Sequence, residues 1–195
     1  MAKKDFGEIK TMRAQFTEKQ MTPVEPLLYQ QLCWFLYDEA SMLDRNDLRG
    51  WSKILAKEIN YSMPVRTYTE LGKEPRKIGI DADGYYLEDY DSLMMRIDIL
   101  LDPRKTIAET VPDFTRRFVT NVRAYLVDGQ PNQYFVTSAI LFYRTRALDK
   151  APYIFSGERN DMIIKNQENE GFQLLRREIR MDEGVLHTPH LTFLL

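Results

Sequence analysis

At 195 residues the chain is long enough to bury the core of one domain, and nothing in it marks a second. Its 27 basic and 29 acidic side chains leave a formal net charge of -2, which sets aside the broad positive field that nucleic acid or an anionic membrane would require. The one cysteine, Cys33, excludes an intrachain disulfide and any multi-thiolate metal or cluster site, a composition suited to a reducing cytosol.

The start of the chain lacks the apolar core of a signal peptide, and no later apolar run approaches the ~18–20 residues that span a bilayer, so a soluble, cytoplasmic protein is expected. Residues 1–22 are polar and aperiodic and read as a flexible arm, leaving 23–195 as a single domain. Pro23 and Pro26 lead into a helix over about 25–43, whose apolar stripe is Leu28, Leu32, Phe35, Leu36, Met42 and Leu43. Glu39 falls in the middle of that stripe. It is either a buried carboxylate paired with a sheet arginine or a general acid or base in an enclosed pocket.

Asp44, Asn46 and Asp47 are positioned to cap a short second helix carrying Leu48, Trp51, Ile54 and Leu55. A strand is expected over 59–68, with Pro64 restricting it to a sheet edge or a bulge, and a functional loop over 69–86. Asp89 or Asp91 caps a third helix with Leu93, Met94, Ile97, Leu100 and Leu101 on its core face, ending at Asp102-Pro103. Strands follow over about 115–127, 133–146, 153–165 and 172–181, and the apolar residues 191–195 need cover.

The run at 133–146, QYFVTSAILFYRTR, is about twice the ~5–6 residues of a usual strand and is apolar on both faces, so both faces need cover. Strands of this length bend, and helices followed by a long antiparallel meander make an α+β fold: a strongly curved sheet with about three helices in its concavity.

A phosphate loop, a nucleophile elbow and a Cys-His arrangement are absent from the sequence. His187 and His190, with Asp182 and Glu183 upstream, do not converge as ligands, because residues three apart in an extended segment point to opposite faces and Pro189 disfavours a helix. Arg123, Arg144, Arg146, Arg159, Arg176, Arg177 and Arg180 lie in or beside strands. They are either a solvated face or bidentate partners for the carboxylates of another subunit.

FLYDEASMLDRNDLRGW at 35–51, INYSMPVR at 59–66, RRFVTNVRAYL at 116–126, FSGERNDMI at 155–163 and LLRREIRMDEGVL at 174–186 occur in an order and spacing that resembles a known family. It is the small, or beta, subunit of Rieske non-haem iron aromatic-ring-hydroxylating dioxygenases. The third block carries Arg117 where the family pattern has histidine, and the tryptophan usual before it is absent. The resemblance implies a cone-shaped domain similar to nuclear transport factor and scytalone dehydratase, of the cystatin-like class. It also implies a hetero-hexamer of three alpha and three beta subunits. There the Rieske [2Fe-2S] cluster and mononuclear Fe(II) belong to the alpha subunit, and NADH supplies electrons through reductase and ferredoxin. One cysteine and two histidines cannot supply a two-Cys, two-His Rieske centre, so this chain is expected to hold no cofactor, metal or catalytic residue.

On this reading the chain is a noncatalytic beta subunit of an aromatic-hydrocarbon dioxygenase that supports assembly, with Tyr61, Arg66, Tyr68, Arg144 and Arg159 as candidate exposed interface residues. The opposing reading is a stand-alone cone-fold dehydratase, isomerase or epoxide hydrolase using Glu39 as acid or base. A homo-oligomeric module that holds a small ligand in the cone is the third.

Overall fold

Proline at the first helical position loses an amide that has no partner there anyway, and Pro26 opens α1 (Pro26–Asp44) in this way. Leu32, Leu36, Ala40 and Leu43 are buried along one side of α1, with Glu39 among them. Asp47 caps α2 (Leu48–Ser52), its carboxylate accepting the Gly50 amide at 2.8 Å. In α3 (Tyr90–Leu101) the Asp89 carboxylate accepts the Ser92 amide at 2.9 Å, while the Ser92 hydroxyl accepts the Asp89 amide at 3.0 Å. The computed structural model describes residues 21–67, 79–80, 84–102, 104, 113–147, 149–166, 171–188 and 191–195.

Among these residues the strands are β1 (Met21–Pro23), β2 (Leu55–Met63), β3 (Arg66–Thr67), β4 (Gly79–Ile80), β5 (Tyr86–Glu88), β6 (Asp113–Val127), β7 (Gln133–Arg146), β8 (Tyr153–Lys165) and β9 (Phe172–Met181). Seven form one sheet in the order β1-β6-β7-β8-β9-β2-β5, and β3 pairs with β4 apart from it. β6 to β9 are a continuous antiparallel meander, and β2 closes onto β9 in parallel. The long strand β6 slips register between Thr120 and Arg123, where Asn121 takes a left-handed φ of 52°, and such a bulge bends the strand. A second slip lies between Met162 and Ile163 of β8.

Tyr134, Val136, Ile140 and Phe142 of β7 share the inner face with Phe155, Ile163, Leu174 and Ile179, and pack with Leu32, Leu36, Trp51 and Leu93 of the helices in one core. The fold is α+β: a mostly antiparallel sheet with three helices against its concave side. Among the described residues the outer face carries a small buried cluster of Val127, Phe135 and Met162.

Several expected boundaries move. β2 begins at Leu55, so Leu55 belongs to a strand rather than to the second helix, and Ile54 lies in the turn before it. β2 is an interior strand; Pro64 falls just beyond its last residue and interrupts no ladder. The edge on that side of the sheet is β5, Tyr86–Glu88, which starts at the end of the segment read as loop. Met21 and Thr22 pair with Val127 and Leu126, so the sheet starts inside the segment read as an arm. On the outer side of β7, Leu141 is 40% and Tyr143 37% exposed, so the described residues of this chain do not supply all the cover that face needs.

Candidate functional site

The interior of the cone is organised by charge. Glu39, from the middle of α1, is fully buried and meets Arg177 of β9 through two hydrogen bonds: Nη1 donates to Oε1 at 2.6 Å and Nη2 to Oε2 at 2.8 Å. Trp51 Nε1 of α2 donates to Glu39 Oε1 at 3.0 Å. The same guanidinium donates to both oxygens of Asp161 on β8, Nε at 2.8 Å and Nη2 at 2.9 Å. Asp161 and Arg177 are cross-strand partners, so the sheet register itself sets this pair. Arg159, two residues from Asp161 on the same face of β8, approaches Glu39 only to 3.5 Å, donates to Ser138 Oγ at 3.3 Å, and leaves Nη2 without a hydrogen bond.

Burial pushes the Glu39 carboxyl up, but Arg177, Arg159 and the hydrogen bonds from Arg177 and Trp51 outweigh it and hold the group below the ordinary carboxylate range. Desolvation opposes the charge on Arg177, yet Asp161 and Glu39 keep its pKa well above that of a free guanidinium. Arg159 shifts the other way, lowered by burial and by the neighbouring Arg177. A general acid needs a raised pKa, and a general base needs an oxygen open to substrate. Glu39 has neither. Its lone pairs point at arginine and tryptophan donors.

Residues 191–195 fill the remaining space, with Phe193 stacked 4.6 Å from Phe142 and 5.8 Å from Phe155. A polar cleft of about 90 Å³ lies at the mouth between Asp44, Asp113, Arg117 and Thr192, and its lining does not include Glu39. Arg117 donates from Nη1 to Asp44 Oδ1 at 2.5 Å, fastening β6 to the end of α1.

Three of the residues expected at an exposed interface are interior. Tyr61 is fully buried beneath Trp51 and Tyr86. Arg144 is paired with Asp113 and donates to Thr192 Oγ1 at 2.9 Å, and Arg159 is enclosed beside Glu39. All three point to the concave face, where period-two alternation places them with Phe142, Phe155 and Met63. The backbone of Arg66 forms β3, its side chain lies outside the described residues, and Tyr68 lies outside them altogether. His187 is exposed on the loop after β9, and His190 lies outside the described residues. Asp182 instead accepts the Ser156 hydroxyl at 2.9 Å and Glu183 the Ser156 amide at 3.2 Å. Among the described residues no three His, Cys, Asp or Glu side chains stand close enough to hold a metal ion.

From the sequence, Arg177 stands only among the sheet arginines and Trp51 only on the apolar spacing of the second helix, and Asp161 carries no mark as their partner. The signal for Asp161 is the spacing Phe155, Arg159, Asp161, Ile163, all on one face of a single strand. For Arg177 the pattern is ambiguous, because Arg176 and Arg177 are adjacent and a bulge decides which of them faces inward.

The profile of a family described as ring hydroxylating beta subunit matches residues 38–188. The beta subunit of biphenyl 2,3-dioxygenase from Rhodococcus jostii is 32% identical over 173 residues, covering 88% of this chain and 90% of its own length. Among solved structures, a chain of naphthalene 1,2-dioxygenase with indole bound in the active site superposes with a TM-score of 0.81 at 22% identity, covering 95% of both chains. A putative scytalone dehydratase from Novosphingobium aromaticivorans superposes at 0.56 and 15% identity, over 84% of this chain and 90% of its own, and shares the fold alone. A match this long, around a cone interior closed by its own ion pairs, places the chain in the family of ring-hydroxylating beta subunits.

Proposed function

We propose that this chain is the noncatalytic, assembly-supporting beta subunit of the terminal oxygenase of an aromatic-ring dioxygenase, in a hetero-hexamer of three alpha and three beta subunits. The observation that carries the reading is the state of Glu39, a fully enclosed carboxylate committed to Arg177 and Trp51. It would serve as a brace between α1 and the sheet rather than as an acid or base. The donor set of this chain does not fit a Rieske cluster: Cys33 is buried on α1 and only two histidines exist. The cluster, the mononuclear iron and the arene pocket therefore belong to the alpha subunit in this proposal, with electrons from NADH arriving through reductase and ferredoxin.

The contact surface would be the outer sheet face. Phe118 and Leu141 are cross-strand partners on β6 and β7, Tyr143 faces Ile154 on β8, and all four are exposed. Arg66 and Tyr68 stay candidates. The stand-alone enzyme reading shares the cone fold, but among the described residues the carboxylate it would use, Glu39, is committed to Arg177 and Trp51.

Co-expression with a Rieske alpha subunit, followed by mass, iron content and NADH-dependent arene oxidation of the purified complex, tests the proposal. A stable heteromer with all iron in the large chain, inactive when this chain is omitted, is the expected result. Turnover by this chain alone, with no association, would sink it.

A further inference from the structure

An apolar tail could be buried like any other core segment, by its side chains, but residues 191–195 are also gripped along the backbone. They adopt no strand or helix. Their main-chain oxygens take donors from side chains of the wall instead. The Tyr86 hydroxyl lies 2.6 Å from the carbonyl oxygen of Phe193 and 3.2 Å from that of Leu191. Arg117 donates to the Leu194 oxygen from Nε at 3.0 Å and Nη2 at 2.5 Å. Tyr61 and Arg177 donate to the Leu195 oxygen at 2.8 and 2.9 Å. The Leu195 amide in turn lies 2.8 Å from the Tyr61 oxygen.

Side-chain donors that each take a main-chain oxygen of one irregular segment, with an aromatic slot for Phe193 and enclosure of the last two leucines, form a concave, mostly apolar site with a few placed polar groups, as ligand sites do. Phe193 is seated in the slot of Phe142 and Phe155, and Leu194 and Leu195 are fully enclosed. The donors belong to strands β2, β5, β6 and β9, so the grip is completed by the sheet and not by the segment next to the tail in sequence.

We infer that the concave interior is a binding site for a short apolar peptide, and that residues 191–195 occupy it as a tethered ligand. The site reads main-chain oxygens through Tyr61, Tyr86 and Arg117 and one aromatic side chain through Phe142. Residues 191–195 of a second copy, or a free peptide of that sequence, can take the place of the resident segment. Nothing in the proposed assembly role requires this.

The test keeps the full chain intact during folding. A protease recognition sequence inserted between His187 and Thr188, in the exposed loop, allows the tail to be cut from the folded protein. Labelled peptide with the sequence of residues 188–195 is then added, with a scrambled peptide as control. The expected result is one-to-one exchange of label for the resident fragment, with the circular dichroism spectrum unchanged. Arg117→Ala should weaken the labelled peptide by about tenfold or more, as expected when a charge-assisted hydrogen bond is lost, while Phe193→Ala in the peptide does the same from the other side. Loss of the folded spectrum on cutting would show that the tail is part of the core and not a ligand. Equal uptake of the scrambled peptide would also overturn the inference.

Discussion

Glu39 shows how one position in a helix stripe is decided by what lies across from it. Its two oxygens face Arg177 and Trp51, so removing the charge strands a buried guanidinium, and Glu39→Gln should cost about 3–5 kcal/mol in chemical denaturation. Arg159 is the weaker partner, 3.5 Å from Glu39 with one nitrogen unbonded, so Arg159→Met should cost less than Arg177→Met. The reverse order would mean that Arg159 carries the network. Because the folded pKa of Glu39 lies below its ordinary 4.5, its stabilisation is complete above 4.5 and is lost as pH falls through the folded value. The denaturation midpoint of Glu39→Gln should therefore fall less steeply than that of the parent chain over that acid range. Tyr61 works at the other end. Burial pushes its hydroxyl from 10.0 up to about 12, so its contribution is present below 10.0 and lost as pH rises through about 12. Tyr61→Phe should flatten the alkaline limb of the same profile.

At the scale of elements, two positions carry backbone constraints that side-chain chemistry alone does not show. A Cβ on Gly157 of β8 would stand 2.5 Å from the Arg180 carbonyl oxygen, a backbone atom that cannot turn aside. Gly157→Ala should therefore loosen the β8–β9 ladder and cost roughly 1–3 kcal/mol by thermal or chemical denaturation. Asn121, at φ 52° in the β6 bulge, tolerates glycine, whereas Asn121→Val should lose about 1–2 kcal/mol, because β-branching is disfavoured in the left-handed region. Equal stabilities for the glycine and valine variants would show that the bulge is not needed for the bend. The strands 133–146, 153–165 and 172–181 were legible from the sequence because their apolar residues alternate over long runs. The start of β2 was not. Leu48, Trp51, Ile54 and Leu55 continue a helical spacing across the turn, and the pairing of Leu55 with Leu174 that overrides it is distant in sequence. Glu39 was legible as a buried charge from its place in the stripe. Its partner was hidden by the bulge that turns Arg177 inward in place of Arg176.

For the whole molecule the decisive contrast is between a concave face that is filled and a convex face that is open. Tyr61, Arg144 and Arg159 drew attention as interface residues because aromatics and arginines concentrate at interfaces, but the same residue types brace a cone from inside. Only the sheet's facing, set by its partner strands, separates the two uses. The exposed row of Phe118, Leu141, Tyr143 and Ile154 crosses three neighbouring strands, and among the described residues no helix lies over it. Leu141→Glu places a charge at its centre, beside Phe118, without touching Glu39 or Arg177. Its expected outcome is an unchanged melting temperature for the isolated chain together with loss of the heteromer by mass after co-expression with an alpha subunit. A charge buried unpaired at a subunit contact costs far more than one left in water, so the assembly should fail while the fold persists. Arg159→Met supplies the opposite control, since its side chain never reaches the surface and it should alter stability while leaving assembly intact. If Leu141→Glu assembles normally and Arg159→Met does not, the subunit contact lies elsewhere and is transmitted through the cone interior.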